Sequence, residues 1–100
     1  MAFAARVEGL STTAEVIVSV DNISRIEPDI PFRVAIQNDD ASITVYIGGS
    51  DVTNAGLNGY KLIAGAQIAL DLYVGDGPIY AVAASGTPNI RILEIGNKKV

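Results

Sequence analysis

The chain has 100 residues with no cysteine, histidine or tryptophan; 49% of its residues are apolar, 18% are charged, and the net charge is −4. This length predicts a single domain, residues 1–100. The missing residue types exclude disulfides and the commonest metal ligands and general bases, so we expect no enzyme, metal site or cofactor, and the acidic balance argues against nucleic acid as a partner.

The first residues, 1–5, are small and apolar and are followed by Arg6 and Glu8. A signal peptide has the opposite order, with positive charge before an apolar run of about 7–15 residues, and a membrane-spanning helix needs about 20. We therefore expect neither a signal peptide nor a membrane segment. Two roles stay open for residues 1–5: a frayed terminus, or an N-terminal arm that adds to a neighbouring sheet.

Apolar and polar residues then alternate along most of the chain, which indicates strands rather than helices. Seven segments are predicted as strands: residues 15–20, 32–37, 43–47, 60–63, 67–72, 79–84 and 90–95. Turn residues separate them at near-regular spacing. About seven or eight short strands with this spacing predict an all-β fold, a single compact antiparallel β-sandwich or a jelly-roll-like barrel.

The sequence also predicts which side chains of one strand share a face and which strands are joined as hairpins. Val16, Val18 and Val20 fall at alternate positions and should share one buried face. The turn residues at 38–42 and 85–89 predict hairpins, each joining the strands on either side.

Aromatic residues are the candidates for a partner interface, namely Phe3, Tyr46, Tyr60 and Tyr80. Tyr46 and Tyr80 lie opposite the main aliphatic rows of their strands. They either fill the second side of the sandwich or form hydrogen bonds at its rim, or they contact a neighbouring subunit or a ligand. Because a small domain cannot bury so many apolar residues, we also expect exposed apolar surface and a homo-oligomer. The alternative is that many of these residues are alanines, which can lie on a surface without forming a contact.

Several motifs in the second half, within residues 37–96, resemble small structural proteins of tailed bacteriophages. They are VYIGGSDVT at 45–53, GYKL at 59–62, AG at 64–65, LDL at 70–72, IYAVAASGT at 79–87 and IRILE at 90–94. The resemblance implies a non-enzymatic virion protein, assembled in the host cytoplasm. It favours a capsid decoration or cement protein that binds the major capsid protein or other virion proteins and stabilises the head by subunit contacts.

Two alternatives remain open on the same resemblance. The first is a head–tail, neck or baseplate component. The second is a receptor- or carbohydrate-binding module on the virion, for which Tyr46 and Tyr60 are candidates for an exposed aromatic platform.

Overall fold

A computed structural model describes residues 2–19, 32–72 and 77–96 of the chain. These residues form eight strands and no helix. The strands are β1 (Ala2–Gly9), β2 (Glu15–Val18), β3 (Phe32–Asn38), β4 (Val45–Gly48), β5 (Gly59–Leu62), β6 (Gln67–Leu72), β7 (Ile79–Ala83) and β8 (Asn89–Gly96).

The strands form two antiparallel sheets of four. Sheet I has the order β1-β8-β3-β6, and sheet II has the order β2-β7-β4-β5. Consecutive strands therefore alternate between the sheets, except that β4 and β5 pair directly. This is a jelly-roll β-sandwich, so the fold class predicted from alternation and turn spacing is confirmed.

The core lies between the sheets and is built from alternate residues of the strands. In β3, for example, Val34 and Ile36 are fully buried while Arg33 between the two faces solvent. The buried hydrophobic cluster comprises Leu10, Ile17, Val18, Val34, Ile36, Val45, Ile47, Leu62, Leu72, Ile79, Ala81, Ala83, Ile90 and Ile92. The period-two pattern thus identifies most of the core.

The two predicted hairpins are wrong. β3 belongs to sheet I and β4 to sheet II, and β7 and β8 are divided in the same way. Residues 39–44 and 84–88 therefore carry the chain across the core from one sheet to the other. Alternation identifies which face of a strand is buried, but it does not distinguish a turn to a neighbouring strand from a turn to the opposite sheet.

The predicted row in the second strand is also incorrect. Val16 is half exposed, whereas Ile17 and Val18 are both buried. The register with β7 shifts between Val16 and Val18, which is a β-bulge. One extra residue on the bulged strand turns the following side chains to the other face. Val20 lies outside the described residues.

Of the segment considered as an N-terminal arm, Ala2 to Ala5 form the first half of β1. They pair with β8 of the same chain, from Ala2 opposite Gly96 to Ala5 opposite Leu93. This strand completes sheet I at one edge.

Candidate interaction surfaces

Tyr46 lies on the outer face of sheet II, as alternation predicts. Its strand neighbours across the sheet are Lys61 in β5 and Val82 in β7. The loop between β4 and β5 folds back over this face, and the backbone of Gly56 packs against the Tyr46 ring. A Cβ at Gly56 would lie 2.8 Å from Cε1 of Tyr46. The loop of the same chain therefore covers part of the ring.

The same loop packs against a pair of glycines in the sheet. Gly48 and Gly59 lie opposite each other in β4 and β5, and Val52 packs over them. A Cβ at Gly59 would lie 2.6 Å from Cγ2 of Val52. Val52 is buried although it lies outside the sandwich core. The glycines of this motif thus make room for a small second core on sheet II.

The predicted aromatic residues do not form one site. Tyr80 is half-buried on the outer face of sheet II, opposite Val16 and Gly48. Tyr60 follows Gly59 and precedes Lys61, so it lies on the other face of the same sheet, and it is 59% exposed. Phe3 is in β1 of sheet I, opposite Ile95, and its side chain lies outside the described residues.

Tyr60 borders an apolar groove on the side of the sandwich where β5 and β6 are the edge strands. We call this cavity of about 410 Å³ the edge groove. Ile68 and Leu70 of β6 line it and remain only half-buried. Its lining comprises Ile47, Gly48, Gly49, Tyr60, Ile68, Leu70, Leu72, Gly77, Pro78 and Ile79. Along this side, the part of the chain that the structure describes leaves the two sheets open to each other.

The outer face of sheet I carries a second apolar surface that the sequence reasoning missed. Ala5, Leu93, Ala35 and Ala69 lie opposite one another in register and cross all four strands. We call this line the alanine row. A depression of about 420 Å³ borders three of these residues, Ala5, Leu93 and Ala35. The sequence indicates this surface only by placing alanines at outward-facing strand positions, where polar residues are usual.

Charged residues on this face are paired. Arg33 donates to Asp71 with Nε–Oδ1 at 2.8 Å, and Arg91 donates to Asp39 with Nε–Oδ2 at 2.9 Å. The hydrogen bond from Arg33 lowers the pKa of Asp71. The two pairs lie at opposite ends of the face and leave the alanine row between them without charge.

A third charged group lies at the opposite side of the sandwich from the edge groove. Arg6 of β1 contacts Glu8 and Glu94 and donates to the backbone carbonyl of Ile17 in β2. Arg6 lies opposite Ile92, on the core face of sheet I. It therefore connects the two sheets where β1 and β2 are the edges.

The described residues form neither a metal cluster nor a membrane-spanning helix. Over residues 2–19, 32–72 and 77–96, no group of three or more acidic side chains is placed to hold a metal ion. In the same part of the chain, no helix has the length and apolarity needed to cross a lipid bilayer.

Comparison with known proteins adds one finding about the fold. No protein-family model matches the sequence, and no curated protein matches it significantly. A solved structure described under "Bacillus endospore appendages form a novel family of disulfide-linked pili" is similar, with a TM-score of 0.53 and 14% sequence identity. The match covers 98% of this chain and 87% of that one. It supports the sandwich architecture as a whole.

Proposed function

We propose that this protein is a non-enzymatic structural subunit of a tailed-phage particle, and specifically a capsid decoration protein. The observation that carries the proposal is the alanine row, an uncharged line of three alanines and Leu93 across sheet I. The alanine side chains are small, so another protein surface can approach the backbone of the sheet closely along this row. Contacts of that kind are typical of permanent assemblies.

Further support comes from the phage-like motifs, which have structural roles in this fold. Gly48 of the segment at 45–53 and Gly59 of the segment at 59–62 leave room for Val52 to pack against sheet II. The sandwich similarity to an appendage protein supports the same class, a subunit that works by assembly. The 100 residues contain no cysteine, so any assembly they make is not linked by disulfides.

In this proposal each copy stabilises the particle by contact area alone. A decoration protein that binds only the assembled shell raises the free energy needed to open that shell. The occupant of the alanine row would be the major capsid protein, or another virion protein in a neck or baseplate. A carbohydrate-binding role has less support, because Tyr46 and Tyr60 lie on opposite faces of sheet II and do not form one platform.

Purified particles test the proposal. Quantitative mass spectrometry of the particles should find the protein at roughly hundreds of copies, as capsid lattice symmetry requires of a decoration protein. About a dozen copies or fewer would instead indicate a ring at the neck or tail. Absence from the particles would overturn the virion role.

A binding experiment tests the surface. Leu93→Glu places a charge in the centre of the alanine row, and Lys61→Glu, which reverses a charge on the outer face of sheet II, is the control. Re-addition of the purified protein to particles that lack it should fail for Leu93→Glu and succeed for Lys61→Glu. Equal binding of both variants would exclude the alanine row as the contact.

A further inference from the structure

Within residues 2–19, 32–72 and 77–96, each sheet of the sandwich ends in two edge strands. These are β1 and β6 in sheet I and β2 and β5 in sheet II. An edge strand presents N–H and C=O groups that can pair with another chain, unless charges, bulges, proline or short length prevent it. The four edges of this protein differ in this respect.

Three of the edges carry protective features. β1 has the charged residues Arg6 and Glu8 on its core face, at the side of the sandwich. β2 has four residues and a bulge after Val16. β5 also has four residues, and Lys61 is exposed on it. Such features oppose the addition of another strand.

β6 has a single charged residue, Asp71, and its carboxylate is paired with Arg33 of the same chain. The six residues of β6 pair with β3 in an unbroken register from Gln67 to Leu72, without proline, lysine or a bulge. Ile68 and Leu70 face the core but stay half-buried because they line the edge groove. An added strand with apolar residues at alternate positions would cover them.

The free backbone groups of β6 can be assigned from the ladder. The N–H of Asn38 donates to the carbonyl of Ala66 over 2.9 Å, which makes these two a hydrogen-bonded pair. Hydrogen-bonded and non-bonded pairs alternate along an antiparallel ladder. Even-numbered residues of β6 therefore bond to β3, and the N–H and C=O groups of Gln67, Ala69 and Asp71 point to the free edge.

We propose that β6 pairs antiparallel with β6 of a second copy of this chain, about a twofold axis through Ala69. In this register Ala69 faces Ala69, and Gln67 faces Asp71 on both sides of the axis. Each of these three pairs contributes two backbone hydrogen bonds, six in all. A shift of the axis by one residue leaves only two such pairs, because Gln67 or Asp71 then has no counterpart in the strand.

The side chains also fit this register. On the core side Ile68 of one copy lies opposite Leu70 of the other, twice, so apolar residues meet across the new ladder. On the outer side each Asp71 carboxylate, held by Arg33 of its own chain, lies opposite a neutral Gln67 amide. No like charges are opposed, which is the condition for favourable cross-strand pairs.

The dimer has consequences for both surfaces described above. The two copies of sheet I become one continuous eight-stranded sheet, since each copy contributes four strands. The alanine rows of the two copies join end to end through Ala69, and the edge grooves face each other with Tyr60 at their rim. This inference deepens the proposed structural role by naming a partner, a second copy, for the homo-oligomeric contact.

Proline substitution tests the pairing. Ala69→Pro removes an edge donor without touching the β3 ladder, because the Ala69 N–H points away from β3. Ala5→Pro is the matched control. The N–H of Leu10 donates to Pro88, so by alternation the Ala5 N–H points to the free edge of β1. Both alanines are exposed and lie in the same row.

Sedimentation equilibrium of the purified full chain is the measurement. We expect the wild type and Ala5→Pro to dimerise, and Ala69→Pro to weaken the dimer at least about tenfold through its two lost donors. Circular dichroism checks that each variant is folded. If Ala69→Pro does not fold, Ala69→Lys replaces it, with Ala5→Lys as control, since two lysines would meet at the axis about 5.5 Å apart at Cα.

A cysteine experiment gives a positive readout. The chain has no native cysteine, so Ala69→Cys can form a disulfide only between two copies. A Cα separation of about 5.5 Å across the axis suits a disulfide. We expect oxidation to yield a covalent dimer for Ala69→Cys and none for Ala5→Cys.

Several outcomes would overturn the pairing: a wild-type protein that stays monomeric up to about 1 mM, equal dimerisation of both proline variants, or equal cross-linking of both cysteine variants. A monomer that is abundant in purified particles would overturn the β6 pairing and leave the decoration role in place. A β6-dependent dimer that is absent from purified particles would support the β6 pairing and overturn the decoration role.

Discussion

The side-chain amide of Asn38 donates a hydrogen bond to the backbone carbonyl of Leu62 over 2.9 Å. Asn38 ends β3 in sheet I and Leu62 ends β5 in sheet II, so a single fully buried side chain joins the two sheets. The same amide nitrogen donates to the carbonyl of Ile43 over 2.8 Å, and the amide oxygen accepts from the N–H of Asp40. Asn38 therefore fixes the crossing from β3 to β4.

Asn38→Asp should destabilise the protein by about 3 kcal/mol at neutral pH, since it leaves two buried carbonyls without a donor and sets a carboxylate against them. The loss should shrink on acidification, because a protonated carboxyl can donate once. Urea unfolding followed by circular dichroism measures both effects. Asn54→Asp, in an exposed turn, is the control. A neutral-pH loss below about 0.5 kcal/mol would show that Asn38 does not join the sheets.

Gly56→Ala tests whether the β4–β5 loop packs on Tyr46. Gly56 has φ +89° and Gly65 has φ +80°, but a Cβ at Gly56 would lie 2.8 Å from the Tyr46 ring whereas nothing lies within 4 Å of one at Gly65. Both substitutions should cost about 1 kcal/mol of backbone strain. Gly56→Ala should cost about 1–2 kcal/mol more, from overpacking.

Removing the Tyr46 ring separates the cost of overpacking from the cost of backbone strain at Gly56. In a Tyr46→Ala background the extra cost of Gly56→Ala should vanish, leaving the cost that Gly65→Ala shows. Thermal unfolding of the four variants gives this double-mutant cycle. If the excess persists without the ring, the loop is not seated on Tyr46.

How far the fold follows from the sequence can be seen in β3. Alternation there predicts Val34 and Ile36 inside and Arg33 outside, and the structure agrees, because a one-residue slip would bury the arginine. The role of Asn38 was not predictable in the same way. An asparagine in a turn bonds its own backbone in most proteins, and the turn sequence carries no sign that this one also spans the core.

The surfaces were less predictable than the fold. The outward position of Tyr46 followed from period two, but the loop that covers it depends on the conformation of Gly56. The alanine row depends on which strands are neighbours, since Ala5, Ala35 and Ala69 lie far apart in the chain and meet only through the strand order of sheet I. Pairing between distant strands is not encoded in local alternation.

Arg6 provides a test of the edge opposite β6. Arg6→Met should destabilise the protein by about 1–3 kcal/mol, because Glu94, whose side chain is only 15% exposed, loses its cationic partner. Adding Glu94→Leu should recover most of this loss, since an apolar pair can replace a charged pair of similar volume. Chemical denaturation of both variants measures the change.

The matched control for Arg6 is Arg91→Met, because Arg91 forms a pair with Asp39 on the exposed outer face. Exposed pairs contribute little, so stability should change by less than about 1 kcal/mol. If Arg91→Met lost as much stability as Arg6→Met, the contacts of Arg6 with Ile17 and Glu94 would not be what stabilises the β1–β2 side of the sandwich.

Two aspartates should respond differently to salt, because their pKa values are lowered by different causes. Backbone N–H groups of Ser42 and Ile43 hold the pKa of Asp40 below its usual range, while the Arg33 guanidinium lowers that of Asp71. Each carboxylate therefore stabilises the fold above the unfolded-state pKa of about 3.9, and the contribution is lost as the pH falls through the lower folded-state value.

Carboxyl NMR titration should show the Asp71 pKa rising in about 1 M salt, which screens the charge pair. The Asp40 pKa should stay low, since its donors are neutral amides. In Arg33→Gln the Asp71 pKa should rise even at low salt. Equal salt sensitivity of both carboxyls would contradict the assigned causes.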